Sequence, residues 1–431
     1  MNSKTFAFTV TAILSASALF AEPRVDQSAV TLAQDSQSRL VTVGYTLTGE
    51  PAVVTVDFQT NTLANAAGDW VSIGDVNFTN VIGDVNQVVQ IGSHAIYWQP
   101  DKSWPDQRIN DGRVRAVVKA WATNAPPDYC AVCLLTDAQM DEKKVADVTW
   151  NIPRRRYFVS ADAVPGGVTN RLYKTEFLLL RKIPAAGVVW TMQKYTKAGS
   201  DKPRKVMLTQ DYYIGVFAFT GRQKNAVVNN NTNGGVTPDV NAPWNTVRGT
   251  YADYPWPAVG EGYTNYTHNV ASTSYLGKLR TRSGIDTFDL PTEAQWEYAA
   301  RSGHGGWTYN NDNTQQSNVK DAVLNVAWCS DNQRSLHEVG LKLANDWGLY
   351  DVLGNVYEAV LDRYATLAEP PSADYVAVDP KGPATGSTTV YRGGHYATAW
   401  DWIYLSCRRS ESPNKNDGAY GYRVVCDAVA K

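Results

Sequence analysis

The stretch from Val390 to Cys426 constrains the fold more than any other part of the sequence. It begins with the glycine pair in Arg392-Gly393-Gly394, and paired glycines permit backbone angles and close approaches that a side chain forbids. An aromatic-rich segment follows, then a polar loop, and finally the motif Tyr420-Gly421-Tyr422-Arg423. A sharp turn that presents large side chains is typical of a surface site held by a rigid scaffold.

The first residues, Met1 to Ala21, have the pattern of an export signal. Lys4 provides the positive end, Phe6 to Phe20 an apolar or small-residue core, and Ala21 a small residue for cleavage. A buried N-terminal helix is the alternative, and the Glu22-Pro23 sequence that follows at once argues against it. No later apolar run approaches the length of about 20 residues that a bilayer requires. We therefore expect a secreted or periplasmic protein without a membrane span.

Residues 22–125 have the period-two pattern of half-buried strands. Val41, Val43, Tyr45 and Leu47 alternate with Thr and Gly, and similar runs recur at intervals separated by turn residues. This pattern predicts a β-sandwich, which we expect to be immunoglobulin-like. The pair Pro126-Pro127 ends it, and residues 126–174 are predicted to form a connecting β region in which Arg154-Arg155-Arg156 is a charged turn.

Composition excludes one class of partner and leaves others open. The 431-residue chain has a formal net charge of -2, so it lacks the basic excess that nucleic-acid binding needs. It contains 14 Trp and 24 Tyr, which serve a core and a protein or glycan recognition surface equally well. Composition alone does not decide between these two uses.

Two capping boxes predict two helix starts in the C-terminal half. Thr220 with Gln223, and Thr292 with Gln295, have the spacing at which hydroxyl and amide satisfy free backbone groups of a first helical turn. We therefore expect one helix after Thr220 and another after Thr292.

Three motifs in residues 175–431 resemble the formylglycine-generating enzyme family, also called sulfatase-modifying factors. They are Leu290 to Arg301, Gly348 to Glu358, and the C-terminal stretch that opens with Arg392-Gly393-Gly394. The resemblance implies an α+β domain of the C-type-lectin kind with much irregular structure. The family uses two cysteines to hold copper(I) and oxidise a substrate cysteine to formylglycine. Those two positions align with Thr398 and Ile403, which lack the soft thiolate a cuprous ion needs, so we do not expect copper.

The same resemblance implies structural calcium, which the family binds with hard oxygen ligands. One set matches with both carboxylates retained, and its alternative role is to cap and salt-bridge a tightly wound core segment. A second set matches after a shortened loop. The first set comprises Asp351, Gly354, Val356 and Glu358, and the second comprises Asn325, Val326, Asp331 and Gln333.

The cysteines and histidines suggest no further metal site. Cys130 and Cys133 form a C-x-x-C, but residues three apart on a strand point to opposite faces, so we expect them to be structural. A Cys407–Cys426 disulfide is possible on sequence grounds. The five histidines are scattered and match no zinc spacing.

The residues after the glycine pair are the predicted ligand-binding surface. On an extended segment the even-numbered aromatic side chains from Tyr396 to Tyr404 would line one side, facing either a ligand or the core. The region is also similar to the variable segment of retroelement-diversified lectin-fold proteins, which bind ligands without catalysis. The predicted contacts are His395, Tyr396, Thr398, Trp400, Trp402 and Tyr404.

Three functions therefore remain open. The leading hypothesis is an exported, non-catalytic pseudoenzyme that binds a protein or glycan. The alternatives are a sulfatase-modifying oxidase, or another enzyme of the superfamily, with ligands still to be identified, and a purely structural envelope protein.

Overall fold

The described chain is mostly β-structure with few helices. Among these residues, no helix combines the length and apolar character needed to cross a lipid bilayer. The predicted export signal lies outside the described residues apart from its last position, Ala21. The computed structural model describes residues 21–61, 69–73, 81–103, 109, 112–142, 154–194, 201–229, 270, 272–310, 319–412 and 419–430.

The N-terminal region forms two antiparallel sheets around a common apolar core. In the first sheet, β3 pairs with β8 on one edge and with β1 and β2 on the other, and in the second, β4 pairs with β9 on one edge and with β5 and β7 on the other. Val41, Val43, Tyr45 and Leu47 are buried, as the period-two pattern predicts, and an immunoglobulin-like topology stays a prediction. The strands are β1 (Arg24–Val25), β2 (Thr31–Gln34), β3 (Val41–Thr48), β4 (Ala52–Asn61), β5 (Trp70–Ser72), β6 (Val81–Gly83), β7 (Gln87–Val89), β8 (Gly92–Trp98) and β9 (Val114–Ala122).

The C-terminal region contains three further sheets. One has the order β11-β10-β12-β15-β21, the second β13-β14-β17 and the third β19-β18-β16-β20, where β14–β17 and β16–β20 are the parallel pairs. The strands are β10 (Tyr129–Cys133), β11 (Arg155–Phe158), β12 (Phe177–Ile183), β13 (Val189–Met192), β14 (Arg204–Met207), β15 (Tyr212–Gly215), β16 (Tyr357–Arg363), β17 (Val376–Val378), β18 (Thr389–Arg392), β19 (Arg408–Glu411), β20 (Tyr420–Tyr422) and β21 (Val425–Asp427).

Both predicted capping boxes are present. Thr220 and Gln223 exchange side-chain bonds with each other's backbone N–H, and Thr292 and Gln295 do the same. The residue after each threonine begins a helix, as the sequence predicts. The α-helices are α1 (Pro100–Ser103), α2 (Asp137–Glu142), α3 (Gly221–Asn229), α4 (Tyr275–Ser283), α5 (Glu293–Arg301) and α6 (Lys320–Val326), and the 3-10 helices are Gln27–Ala29, Arg171–Lys174 and Trp400–Trp402.

The described parts of residues 126–174, which are 126–142 and 154–174, contribute two strands to a C-terminal sheet. β10 lies between β11 and β12 in a single sheet. The prediction of a charged turn at Arg154-Arg155-Arg156 is wrong, because the last two of these residues lie in β11. Arg156 is buried, and Arg155 donates to the carbonyl of Gly284. These arginines bind partners within the domain instead of facing solvent.

A buried ionic network joins α5 to the strands beneath the glycine pair. Arg392 in β18 contacts Glu297 at 2.5 Å and Glu293 at 3.2 Å, and Arg408 contacts Glu293 at 2.6 Å. Burial raises the pKa of Glu297, but the guanidinium groups of Arg301 and Arg392 outweigh it and hold this pKa below its usual value. These ion pairs fix the helix against the sheet, and the lowered pKa favours the charged form of Glu297.

Asp362 is a further buried carboxyl group of this network, and its pKa is raised whereas that of Glu297 is lowered. Its Oδ2 accepts the backbone N–H of Glu293 at 2.7 Å, at the first residue of α5. Full burial, followed by the nearby Glu293 carboxylate, raises the pKa of Asp362 to about 8. The folded protein therefore holds a proton on Asp362 that the unfolded chain releases near pH 4.

This difference predicts that the Asp362 contribution to folding free energy is largest in acid and is lost as the pH rises toward about 8. We expect Asp362→Asn, which cannot ionise, to gain stability relative to the wild type between pH 5 and 9 by a few kcal/mol, since one pKa unit is about 1.4 kcal/mol. Urea unfolding of both proteins at several pH values measures this difference. Parallel stability profiles for the two proteins would contradict the prediction.

Candidate functional site

The candidate site begins at the glycine pair after β18. Gly393 and Gly394 have φ angles of 86° and 79°, in the left-handed region that favours glycine. A Cβ on Gly393 would lie 2.6 Å from the Val352 carbonyl oxygen, and one on Gly394 would lie 2.9 Å from Ile403 Cγ1. Both glycines are therefore required by close packing as well as by backbone angle.

Two neighbouring loops hold the segment that follows the glycines. The Thr398 carbonyl accepts the Ser330 N–H at 3.0 Å, and the Tyr396 N–H donates to the Asn355 carbonyl at 3.0 Å. These bonds connect three loops that are distant in sequence. The segment is consequently a fixed surface and not a free loop.

The predicted single row of aromatic side chains is not formed. The backbone turns after His395 and makes a 3-10 helix at Trp400–Trp402, so the alternation expected of an extended segment does not apply. Tyr404 is buried and packs against Trp307 with 4.4 Å between ring centroids. Trp402 is 46% exposed. The segment is therefore divided between core and surface.

Between these extremes, Tyr396 and Trp400 are partly buried. Tyr396 packs against the apolar cluster that contains Tyr420, and Trp400 packs against the cluster that contains Tyr404. The Trp400 N–H donates to Asp331 Oδ2 at 3.0 Å, which fixes the start of the 3-10 helix. Each ring thus has one side on the core and part of its surface exposed.

Thr398 bonds to the backbone and lies near Tyr357 of β16. Its Oγ1 accepts the His395 N–H at 3.1 Å, and its side chain lies near the Tyr357 hydroxyl. Burial raises the pKa of Tyr357, the Cys407 thiolate would raise it further, and the Thr398 bond offsets part of the rise. Tyr357 therefore stays a neutral phenol at physiological pH. Thr398 and Tyr357 therefore place two hydroxyl groups where the family resemblance implies the first copper-binding cysteine.

His395 completes an aromatic group around Tyr357. The His395 ring lies 4.9 Å from the Tyr357 ring and 5.3 Å from the Tyr396 ring, and Tyr357 in turn lies 5.4 Å from Tyr420. The Ala397 N–H donates to His395 Nδ1 at 3.3 Å. Sequence reasoning missed Tyr357 and Tyr420, although both lie within motifs that carry the family resemblance.

The second expected copper position is apolar. Ile403 is fully buried in the core cluster that contains Leu405 and touches Gly394. The nearby Cys407 is buried and not disulfide-bonded, so the possible Cys407–Cys426 bridge is absent. No group of three or more His, Cys, Asp or Glu within the described residues can hold a metal ion.

The remaining cysteines are also buried and free. Cys130 and Cys133 lie on β10, and their spacing places them on opposite faces of the strand. Cys130 and Cys426 share one apolar cluster with Tyr157, and burial raises the pKa of Cys130 to about 12. The strand geometry and burial indicate packing roles rather than a metal site at the C-x-x-C.

Three oxygen atoms of the first predicted calcium set accept no hydrogen bond from the described residues. Asp351 is buried with a φ of 53°, its Oδ2 accepts the Gly340 N–H at 2.6 Å, and its Oδ1 has no partner within the described chain. Burial raises the pKa of Asp351 to about 6. The carbonyls of Gly354 and Val356 accept no hydrogen bond from the described residues. All three are oxygen atoms, the ligand type that a hard cation prefers.

Glu358, the fourth member of that set, has other partners. Its Oε2 accepts from Trp296 Nε1 at 2.7 Å, and its two oxygens accept from Arg423 at 2.8 and 3.1 Å. Glu358 and Arg423 are both almost fully buried. Glu358 therefore forms a buried ion pair, which is the alternative role that the sequence analysis considered for this set.

In the second predicted calcium set, the carboxylate of Asp331 contacts other groups of the protein. Asp331 lies 3.5 Å from the Lys320 ammonium group and accepts the Trp400 N–H, and a second ammonium group, Lys342, donates to the Leu324 carbonyl at 2.6 Å. Asp331 is therefore already bound by partners within the described chain. The remaining members are either exposed or packed in the core: Asn325, Val326 and Gln333.

Comparison with known proteins identifies relatives of the C-terminal region. The family model described as "Sulfatase-modifying factor enzyme 1-like domain" matches residues 182–428. The formylglycine-generating enzyme of Streptomyces coelicolor is 32% identical over 151 residues, which are 32% of this chain and 46% of that protein. The serine/threonine-protein kinase pkn1 of Chlamydia pneumoniae is 30% identical over 143 residues, 32% of this chain and 20% of the kinase.

Among solved structures, Treponema denticola variable protein 1 is 24% identical, with a TM-score of 0.45, over 58% of this chain and 95% of that protein. The chain spans about half or less of the length of the formylglycine-generating enzymes that it matches: 46%, 50% and 38% for those of Streptomyces coelicolor, Thermomonospora curvata and Bos taurus.

Because Tyr404 is buried and Trp402 is partly exposed, we expect alanine substitutions at these two positions to lower the free energy of unfolding by different amounts. Tyr404→Ala removes a buried ring and is expected to lower the free energy of unfolding by about 3 kcal/mol or more. Trp402→Ala removes an exposed ring and is expected to change it by less than about 1 kcal/mol. Guanidinium unfolding of both variants measures the difference, and equal losses would show that the two rings are packed alike.

Proposed function

This chain belongs to the sulfatase-modifying factor family, and from that premise we propose that it is an exported, non-catalytic member. It binds a protein or glycan ligand through the surface that follows Gly393-Gly394. The chemistry at the two aligned cysteine positions is the observation on which this proposal rests. Thr398 is a hydroxyl residue beside Tyr357, and Ile403 is buried against Gly394, so neither supplies a thiolate.

The proposed ligand surface is smaller than the predicted aromatic row. It comprises the exposed ring of Trp402 and the partly exposed side chains of His395, Tyr396, Thr398 and Trp400. Aromatic side chains that are held by backbone bonds lose little conformational freedom when a ligand binds. Tyr404 supports this surface from the core and does not contact the ligand.

Export is proposed from the sequence of Met1 to Ala21. A short apolar segment after a lysine and before small residues is typical of a cleaved signal. An exported binding protein would place the aromatic surface where extracellular proteins and glycans are available.

A second candidate function is the oxidase activity named for several relatives. Cys407 favours it, because this thiol lies close enough to Tyr357 to influence the pKa of the tyrosine, next to Thr398. A single buried thiol beside two hydroxyl groups provides fewer soft ligands than cuprous ion requires. The binding function is therefore the stronger proposal.

We also propose a structural calcium ion at the first predicted set. Asp351 Oδ1 and the carbonyls of Gly354 and Val356 are the atoms that would hold it, with Glu358 nearby in its ion pair with Arg423. Calcium would neutralise the buried carboxylate of Asp351 and stabilise the loop that leads into β16.

The function is tested by measuring copper(I) affinity, oxygen consumption with a cysteine-containing sulfatase peptide, and binding to glycan and peptide arrays. We expect no oxygen consumption and no tight copper binding, with the Streptomyces coelicolor relative as a positive control. We expect array ligands to lose at least tenfold in affinity in Trp402→Ala but not in Arg363→Ala, which lies outside the surface. Oxygen consumption that disappears in Cys407→Ser would instead establish the oxidase.

Calcium binding is tested by thermal unfolding with calcium or with a chelator. At a calcium concentration of about 100 times Kd, the expected gain is about 2.7 kcal/mol, and it is expected to vanish in Asp351→Asn. The gain is expected to be smaller at pH 5 than at pH 7.5, because protons compete for Asp351, whose pKa is raised to about 6. Asp331→Asn is the matched control from the other set. A gain that survives in Asp351→Asn would rule out this site.

A further inference from the structure

A groove lies beside β17, the edge strand of the sheet β13-β14-β17. Its volume is about 780 Å³, and it is lined by β17, by Arg204 of β14 and by the chain on either side of β17, residues 365–371 and 380–383. No residue of the proposed ligand surface lines it. We propose that this groove binds an extended peptide segment, which adds a strand to the free edge of β17 and places an acidic side chain beside Arg204.

The backbone of β17 is bonded on one edge only. Its partner is β14, and the register places Met207 opposite Val378. The Asp379 N–H donates to the Met207 carbonyl at 3.0 Å. Because bonding residues alternate along a parallel pair, Ala377 bonds to β14, whereas Val376 and Val378 direct their N–H and C=O groups away from it.

These outward groups of Val376 and Val378 have no hydrogen-bond partner in the part of the chain that the structure describes. Val378 lines the groove and is 53% exposed, so this end of the edge lies at the surface. An unpaired strand edge is a template for another strand, and an extended peptide satisfies its donors and acceptors. A strand of three residues spans about 10 Å, so β17 matches about three residues of such a peptide.

The two chain segments beside β17 form fixed walls. The Leu367 N–H donates to Asp201 Oδ1 at 2.8 Å, and the Leu367 carbonyl accepts the Lys202 N–H at 2.9 Å. Proline restricts φ and has no N–H, so a wall rich in proline is stiff and does not compete with β17 for a peptide. The prolines in the walls are Pro370, Pro371, Pro380 and Pro383.

Arg204 supplies the groove with a cation whose donors are only partly used. Its Nη2 donates to the Ala368 carbonyl at 2.9 Å, its Nε is buried without an acceptor among the described residues, and its Nη1 has none there either. Burial lowers the pKa of Arg204, and Arg408 lowers it further, against the opposing effect of two nearby carboxylates. A carboxylate from a ligand would supply the missing acceptor and favour the charged guanidinium.

The other charged side chains that line the groove are already engaged. Asp379 accepts the N–H and the hydroxyl of Thr209 at 2.9 and 2.6 Å, and Glu369 lies 3.4 Å from the Lys202 ammonium group. Lys381 also has a partner within the protein. The β14 guanidinium group is therefore the charge assigned to the peptide, and its sign selects an acidic residue.

Two exposed apolar side chains add contacts for the residues that flank the acidic one. Tyr375 is 45% exposed, and both it and Val378 line the groove. A peptide with β-branched or aromatic residues uses these side chains as well as the strand edge, which neither a sugar nor an inorganic anion can pair with. Because only a few residues pair, we expect a Kd on the order of 100 μM.

The charge assignment is tested by fluorescence anisotropy of the full chain at low salt with two pools of labelled hexapeptides. Both pools contain Val, Thr, Tyr or Ser at every position except the third, which is Glu in one pool and Gln in the other. We expect the Glu pool to bind about tenfold more tightly. Arg204→Met is expected to remove this preference. Lys205→Met is the matched control and is expected to keep it, since neighbouring residues of a strand point to opposite faces.

The strand pairing is tested with the best Glu peptide, resynthesised with N-methyl groups on either its odd or its even residues. Alternate N–H groups of an extended peptide face the same edge, so one isomer is expected to lose binding and the other to keep it. Val378→Pro removes an outward N–H without removing a bond to β14, and we expect about a tenfold loss. Val378→Thr retains the N–H and is expected to bind like the wild type. The two N-methyl peptides decide the question if Val378→Pro does not fold.

Trp402→Ala is expected to leave peptide binding unchanged, which separates the groove from the proposed ligand surface. The proposal is overturned if neither pool binds at about 1 mM, if both N-methyl isomers bind equally, or if the preference for Glu survives in Arg204→Met. A dimer of the chain that dissociates in Val378→Pro would assign the edge to a second copy and would overturn it as well.

Discussion

The ion pairs of Arg392 with two glutamates of α5 are the interaction on which the C-terminal domain depends. Arg392 and Glu297 are fully buried, and transfer of two such charges from water is costly unless their hydrogen bonds are satisfied. Arg392 contacts Glu293, Glu297 and the carbonyls of Leu405 and Ser406. One side chain therefore fixes a helix, a strand and the end of the aromatic segment together. Because Arg392 directly precedes Gly393, the same contacts fix where the surface loop leaves the core.

A second buried pair provides the complementary constraint. Arg423 donates to Glu358 and to the carbonyls of Gly215, Val216 and Tyr350, so it joins β16 to the neighbouring sheet. Neither arginine reaches the surface after the glycine pair. The residues that hold the scaffold are thus distinct from those that would perform chemistry on it. Under the proposed function, this separation would allow Thr398 and Ile403 to stand at the aligned cysteine positions without a change in the scaffold.

The sequence predicts the parts of this structure that are set by local rules. The two capping boxes and the inward side chains of β3 depend on near neighbours, and both are found where they were expected. The aromatic row fails because its alternation assumes an extended backbone, whereas the bond from the Trp400 N–H to Asp331, a residue from a distant loop, favours a 3-10 turn. The arginine run fails for the same reason: its partners at Gly284 and within the sheet are not visible in the local pattern.

Glu297 connects the C-terminal end of α5 with the strand that precedes the glycine pair. Its Oε1 accepts from Arg301, the last residue of α5, and its Oε2 accepts from Arg392, which precedes the glycine pair. Its oxygens also accept two bonds from Gln193. A single carboxylate thus supports the backbone on both sides, and its lowered pKa favours the charged form. The surface after the glycine pair is therefore presented by a framework in which one buried carboxylate joins α5 to β18.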